Sequence, residues 1–435
     1  MAIAPCERPV TLRTELLSIS GCLHCQETPA AGPRPSRNAN GCRALAAPVV
    51  TFLGTLAAAI MVFPSLPPSA GSCSLLSPES SRSVRPLFPW LSDVLSPDIG
   101  AMRLLRSDML LIALGACSAF LVTVLGIPRI AAYLPRDRGR AFAVDADKSV
   151  GKPMGAGIFF AAVFAVAVLL FVPWRPDVVL FVGVLLLTAG IGLVDDRTGG
   201  LSQYQLAFFD LLAAGLSAWL LVNGADTIDL WLPLIRGSFG LPTFVVFLIF
   251  TCVIWISINA MNCSDGVDGL SGSLSVVSLV FLGFILYGVV GDRATADYLL
   301  IPFVPGTGAW ASIAFIMVGC LAGYLWHNAP PSTVLMGDAG SRPVGLLIGV
   351  LVCASHNVLL IVVVGFVILA NGGTGIVKIA LKRFFNVLVF GRVRFPLHDH
   401  FRKEVGWTGT QVLMRFVIAH LILSALLYAV LLKVR

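Results

Sequence analysis

Charge is what this sequence has least of. Asp, Glu, Lys and Arg make up 12% of the 435 residues and hydrophobic residues 57%. Ordinary soluble domains carry about a quarter charged residues, so that class is excluded. Metal-ligand patterns are thin too. Cys22-Leu-His-Cys25 stands without a second pair, and His398 and His400 have no third His or Cys nearby. Both observations argue against the usual structural zinc set. Asp265-Gly-Val-Asp268-Gly269 has DxxDG spacing but lacks the remaining ligand positions and terminal Glu of a calcium-binding EF-hand loop.

What the sequence does contain is a series of apolar runs, at 108–127, 155–173, 178–194, 204–222, 241–260, 270–290, 308–326, 343–354, 357–380 and 414–433. Most are near the roughly 20 residues that a helix needs to cross a bilayer. The pattern predicts an all-α polytopic membrane protein with about ten transmembrane helices in one bundle, the eighth unusually short.

Residues 1–101 read differently, being rich in Pro, Ser and Ala and holding Cys6, Cys22, Cys25, Cys42 and Cys73. An apolar stretch at 47–63 has poor flanks for a span or a signal segment. This part is read as an extension, disordered or a start-site artefact, with Met102 and the following Arg103 and Arg106 as the natural beginning of a membrane domain over 102–435. Cys117, Cys252, Cys263, Cys320 and Cys353 lie in or beside the apolar runs and are expected to pack as small apolar side chains.

Basic residues flanking spans stay on the cytoplasmic side. Arg129, Arg136, Arg138, Arg140, Lys148 and Lys152 follow the first run, and Lys382, Arg383, Arg392, Arg394, Arg402 and Lys403 precede the last. Alternating the spans from the first basic loop places four polar clusters on that same face: Asp195-Asp196, Asn259 to Asp268, Gly337-Asp338 and His398-Asp399-His400. That convergence is independent of the Lys and Arg used to orient the chain. It predicts one cytoplasm-facing active site, because carboxylates and imidazoles at membrane depth are costly unless they line a wet cavity or hold a cation.

Adjacent carboxylates such as Asp195-Asp196 repel and are kept together where a cation or a proton is shared. Ser202, after Gly199-Gly200, is placed to cap the next helix. Asn259-Ala-Met-Asn262-Cys-Ser-Asp265-Gly266-Val-Asp268-Gly269-Leu270 offers amides and carboxylates that can hydrogen-bond a sugar or base edge, with glycines that allow close approach. Asp338 sits between glycines before the short eighth run, where amides at a helix start suit phosphate and the carboxylate suits a divalent cation. His398 and His400 lie in a basic stretch that favours phosphate. Trp407 is read as an interface anchor, and His327 and His420 as packed or interfacial rather than catalytic.

Together these motifs resemble the polyprenyl-phosphate N-acetylhexosamine-1-phosphate transferases, and most closely their phospho-N-acetylmuramoyl-pentapeptide transferase branch. The resemblance spans about 145 to 420. It rests on Gly192-Leu-Val-Asp-Asp196, the Asn259 to Leu270 string, Met336-Gly-Asp-Ala-Gly-Ser341, and Pro396-Leu-His-Asp-His-Phe401 followed by Gly406-Trp407 and Gln411-Val-Leu-Met-Arg-Phe416. The last block favours the muramoyl branch.

The resemblance implies transfer of phospho-N-acetylmuramoyl-pentapeptide from its UDP conjugate to undecaprenyl phosphate, with Mg2+, in the bacterial inner (plasma) membrane. The products would be lipid I and UMP. By motif match, Asp195, Asp196, Asp338, His398 and His400 are catalytic, with Asp338 and Asp195 on the metal. Lys148, Asn259, Asn262, Asp265, Gly266 and Asp268 contact substrate. The implied partners are the two substrates and the lipid bilayer, with no nucleic acid; a homodimer is a family expectation. The chain departs from the family pattern in having Asp399 as the middle residue of a usual His-His-His run. Lys152-Pro-Met-Gly-Ala-Gly157 replaces Thr-Pro-Thr-Met-Gly-Gly, and Arg197 with the uncharged Gln203 to Leu206 stands where lysines usually follow the Asp pair. Transfer of N-acetylglucosamine-1-phosphate stays open as an alternative. An ion-coupled transporter is a remoter one, since it would place polar groups at mid-depth with access from both faces.

Overall fold

The computed structural model describes residues 87, 88, 94, 100–139, 149–232, 238–387 and 389–433. The extension read over 1–101, with its five cysteines and the stretch at 47–63, lies almost wholly outside the described residues, as does Lys148.

The described chain is helical apart from one hairpin. Its helices are α1 (Asp108–Ile130), α2 (Gly157–Phe171), α3 (Pro176–Thr198), α4 (Gln203–Val222), α5 (Thr243–Ser264), α6 (Leu270–Gly288), α7 (Arg293–Leu299) and α8 (Thr307–Asn328). They continue as α9 (Asp338–Ala354), α10 (Leu360–Val364), α11 (Thr374–Phe385), α12 (Leu397–Lys403) and α13 (Gly409–Lys433). Seven of them, α1, α3, α4, α5, α6, α8 and α13, are long and apolar enough to cross a membrane. A helix of 22 residues such as α5 spans about 33 Å at 1.5 Å per residue, close to the hydrocarbon thickness. Large apolar side chains such as Leu121, Leu125, Ile418 and Ile422 point outward, which suits lipid rather than water. This is a multi-pass helical membrane protein.

Three of the ten runs differ from simple spans. The run at 155–173 forms only the 15-residue α2. The eighth begins earlier than its apolar stretch, at Asp338, and all 17 residues of α9 are buried. It sits among α2, α3 and α5 rather than facing lipid, so its sequence need not be apolar all round. The run at 357–380 is broken, because α10 and α11 are separated by a π turn over Leu369–Gly373. Gly372 explains the close approach there: a Cβ would lie 2.2 Å from the Ala260 carbonyl oxygen of α5.

Local signals account for the helix ends. Pro176 occupies the first turn of α3, Arg175 pairs with Asp177 at 2.7 Å, and Gly199 at φ 83 ends the helix. Ser202 caps α4 through a reciprocal bond pair with Gln205, as its position predicts. The hairpin, β1 (Thr227–Trp231) paired antiparallel with β2 (Ser238–Pro242), was not anticipated. Trp231 anchors it to the turn after α9: its Nε1 donates to Ser355 O at 3.0 Å and its backbone N to His356 O at 3.1 Å. The hairpin therefore marks the far end of α9, about 25 Å from Asp338 by helix rise.

Of the cysteines in the described residues, Cys263, Cys320 and Cys353 are buried as expected, whereas Cys117 and Cys252 are exposed on the outward sides of their helices.

Candidate active site

The site is organised around the start of α9. Helix α3 runs on through Thr198, so Asp195 and Asp196 lie in its last turns rather than beyond it, and both are buried. The Asp196 carboxylate accepts from the backbone N–H of Asp338 (3.0 Å) and of Ala339 (3.2 Å). It thus caps α9 from another helix, satisfying amides that have no partner within α9 and meeting the positive end of its dipole. Small residues make the contact feasible. A Cβ on Gly192 would lie 2.3 Å from the Asp338 carbonyl oxygen, and one on Gly157 would lie 2.0 Å from Gly340 N.

This clamp gathers Asp195, Asp196 and Asp338, whose carboxylate oxygens lie within 4.8 Å of one another. Three hard oxygen donors at that spacing suit a divalent cation such as Mg2+ or Ca2+, and small side-chain shifts would close them around one ion. The Asp195 carboxylate also accepts from Leu201 N, which ties it to the turn leading into α4.

Helix α5 extends to Ser264, so Asn259 and Asn262 are helical and only the residues from Asp265 form the turn. Asn262 reaches the acidic end, donating to Ser341 Oγ of α9 at 3.0 Å. Asn259 is not drawn into that network; its amide donates to Trp255 O within its own helix. In the turn, Asp265 accepts from Ser271 Oγ at 2.6 Å. Asp268 accepts from Ser332 N at 3.1 Å and lies 3.5 Å from Lys152 Nζ, which donates to Ser332 Oγ.

His398 completes the far side. It is 3% exposed, and a Cβ on Gly266 would lie 2.3 Å from its Nε2. Only glycine lets the turn and the imidazole approach so closely. Its backbone N and its Nδ1 both bond to Asn371 Oδ1, at 2.9 and 3.1 Å. A carbonyl oxygen only accepts, so Nδ1 carries a proton, and Nε2 is the ring nitrogen turned toward the turn. His400 is half-buried, and its Nδ1 accepts from Arg394 N at 3.4 Å. Asp399 lies 3.8 Å from His398 Nε2. Helix α12 is braced against α13 by a stack: Phe401 lies on Trp407 with centroids 4.3 Å apart, and Arg415 covers the other ring at 4.3 Å. Trp407, expected as an interface anchor, is half-buried in this stack.

His327 and His420 are packed as expected. His327 Nε2 meets Val124 O at 2.8 Å, and His420 Nε2 meets Ser278 Oγ at 3.0 Å.

Four residues at the site were not singled out for it from sequence: Lys152, Asp210, Arg342 and Asn371. Arg342 bonds Asp338 at 2.9 Å and pairs with Asp210 of α4. The signal was available for Asp210, an ionisable residue inside an apolar run. Asn371 offered the same kind of signal more weakly, as an amide well inside the ninth run, which also begins on Asn357.

Residues 178–356 match the model of glycosyl transferase family 4. The chain is also 44% identical over 342 residues to a phospho-N-acetylmuramoyl-pentapeptide-transferase of Treponema pallidum, covering 77% of this chain and 93% of the relative. The chain belongs to the phospho-N-acetylmuramoyl-pentapeptide-transferase family. A second member, from Caulobacter vibrioides, is 29% identical over 371 residues, covering 78% of this chain and 96% of the relative. Within this transferase family the present chain joins its acidic cluster to the Gly266 turn through Asn262, and the turn to the histidine helix through the Gly266 approach to His398.

Proposed function

We propose that the chain transfers phospho-N-acetylmuramoyl-pentapeptide from UDP-N-acetylmuramoyl-pentapeptide to undecaprenyl phosphate, forming lipid I and UMP. An oxygen of the lipid phosphate would bond to the sugar-side phosphorus of the donor diphosphate, the bond from that phosphorus to the bridging oxygen would break, and the bridging oxygen would leave as part of UMP. The observation that carries this reading is the convergence of Asp195, Asp196 and Asp338 within 4.8 Å at the start of a buried helix.

Phosphoryl transfer depends mainly on charge neutralisation and alignment. Asp195 and Asp338 would hold Mg2+, which supplies neutralisation of the phosphate charge when bound. Asp196 fixes the start of α9 and, with Asp195, faces the lipid phosphate. Asn262, Asp265, Gly266 and Asp268 form the nucleotide-facing turn, and Lys152 adds a cation beside Asp268. His398, with Nδ1 committed to Asn371, presents Nε2 for a phosphate or sugar contact, and His400 lies alongside. Lys148 and Asn259 remain substrate contacts by motif match only. The basic segments around Arg136 and Arg402 support a cytoplasmic orientation of this face in the bacterial inner membrane.

The test is transfer of radiolabel from UDP-N-acetylmuramoyl-pentapeptide to undecaprenyl phosphate by purified protein, with UDP-N-acetylglucosamine and an Asp338→Ala variant in parallel. Mg2+-dependent muramoyl lipid that disappears in Asp338→Ala supports the reading. Product from the N-acetylglucosamine donor alone would move the chain to the sibling reaction, and no product from either donor with folded protein would refute transfer.

A further inference from the structure

Arg342 is a buried cation placed between two carboxylates on different helices. Its Nε donates to Asp338 Oδ2 at 2.9 Å, one Nη lies 2.9 Å from the same oxygen, and its other Nη pairs with Asp210 Oδ2. The side chains of Arg342, Asp338 and Asp210 are 7%, 8% and 4% exposed. Asp338 belongs to the acidic cluster, whereas Asp210, on α4, does not.

We propose that Arg342 is a countercharge shared between Asp210 and Asp338, and that Asp210 sets the cation affinity of the cluster by drawing the guanidinium away from Asp338. Asp210 and Arg342 are therefore positioning residues, and the inference rests on the reading that the cluster holds Mg2+.

The argument is electrostatic. Three carboxylates this close repel one another, and a guanidinium stays charged at any working pH, so Arg342 neutralises part of the cluster while no metal is bound. A divalent cation then competes with Arg342 for Asp338 and is repelled by it. A guanidinium released from Asp338 with no other partner would be a costly unpaired buried charge, and Asp210 removes that cost. Neutralising Asp210 leaves Arg342 wholly to Asp338 and also takes a negative charge from the neighbourhood. Both effects weaken cation binding. Removing Arg342 together with Asp210 eliminates the competitor.

The experiment is calorimetric titration of Mg2+ into the purified full chain in detergent, which reads affinity without turnover. Asp210→Asn, nearly isosteric, is expected to bind Mg2+ about tenfold more weakly, the lower end for groups that support a metal ligand. Asp210→Glu, which keeps the charge, should bind as the wild type does. The double variant Asp210→Leu/Arg342→Leu should recover wild-type affinity or exceed it. Wild-type affinity in Asp210→Asn overturns the proposal, as does a double variant as weak as the single one. A wild type that binds no Mg2+ overturns the metal reading itself, and this inference with it; the wild-type titration tells that failure from the others.

Discussion

The two ends of the site are held in different ways. At the acidic end, helices touch backbone to backbone: Gly192 admits the Asp338 carbonyl and Gly157 admits Gly340 N, while Asp196 bonds two amides of α9. At the histidine end, position depends on side chains. Asn371 holds His398, and Phe401, Trp407 and Arg415 brace α12. A backbone clamp has few ways to yield, since interiors are close-packed. A side-chain tether can be cut one bond at a time. The acidic end is thus a fixed point, and the histidine end is positioned against it.

The harshest way to test that contrast is to wedge the clamp. Gly192→Val puts a branched side chain where even a Cβ would lie 2.3 Å from the Asp338 carbonyl oxygen. Overpacking of this kind costs about 1–3 kcal/mol, and moving the acidic cluster by about 1 Å should lower transfer roughly 10²-fold. Detergent melting curves and the radiolabel assay would record both. Retention of wild-type activity would mean that α9 is less constrained than its glycine contacts imply.

Cutting the tether should do less. Asn371→Ala removes the acceptor for both His398 bonds, and the Asn371 Nδ2 it also removes has no hydrogen-bond partner among the described residues. Activity should fall between about 10- and 100-fold, at or below the lower range of a full general acid–base contribution. Mg2+ affinity, measured by calorimetry, should not change. A variant that loses metal affinity as well would show that the two ends are not held separately.

The same contrast explains what was legible in the sequence. The carboxylate clusters stand out because they interrupt apolar runs, and a single orientation argument from Lys and Arg places them on one face. Helix ends were less legible: the apolar run at 241–260 stops short of Asn262, yet α5 continues to Ser264, with the Asn259 and Asn262 amides bonding Trp255 O and Ser341 Oγ. The break at Leu369–Gly373 was hidden by continuous hydrophobicity, since it arises from the approach of Gly372 to α5. Arg342 and Asp210 lie 132 positions apart, and no local pattern pairs them. Burial of α9 on every side is likewise a tertiary outcome.

The smallest expected effect lies at the opposite end of α9 and serves to separate fold from site. His356, in the turn after α9, is half-buried, and its Nδ1 faces Asp229 O at 3.1 Å. Burial holds its pKa below the usual 6.5, only partly offset by the Asp229 carbonyl. The unfolded chain therefore takes up a proton more readily than the folded one as pH falls. The contribution of neutral His356 is present above pH 6.5 and is lost as pH drops through the depressed folded value. His356→Asn suits the positive φ of 58° at this position and should flatten the acid side of the stability profile, read as melting temperature against pH, while leaving the pH dependence of transfer unchanged. A transfer profile that shifts with the variant would couple the hairpin end to the site through α9 and undo the separation between the regions.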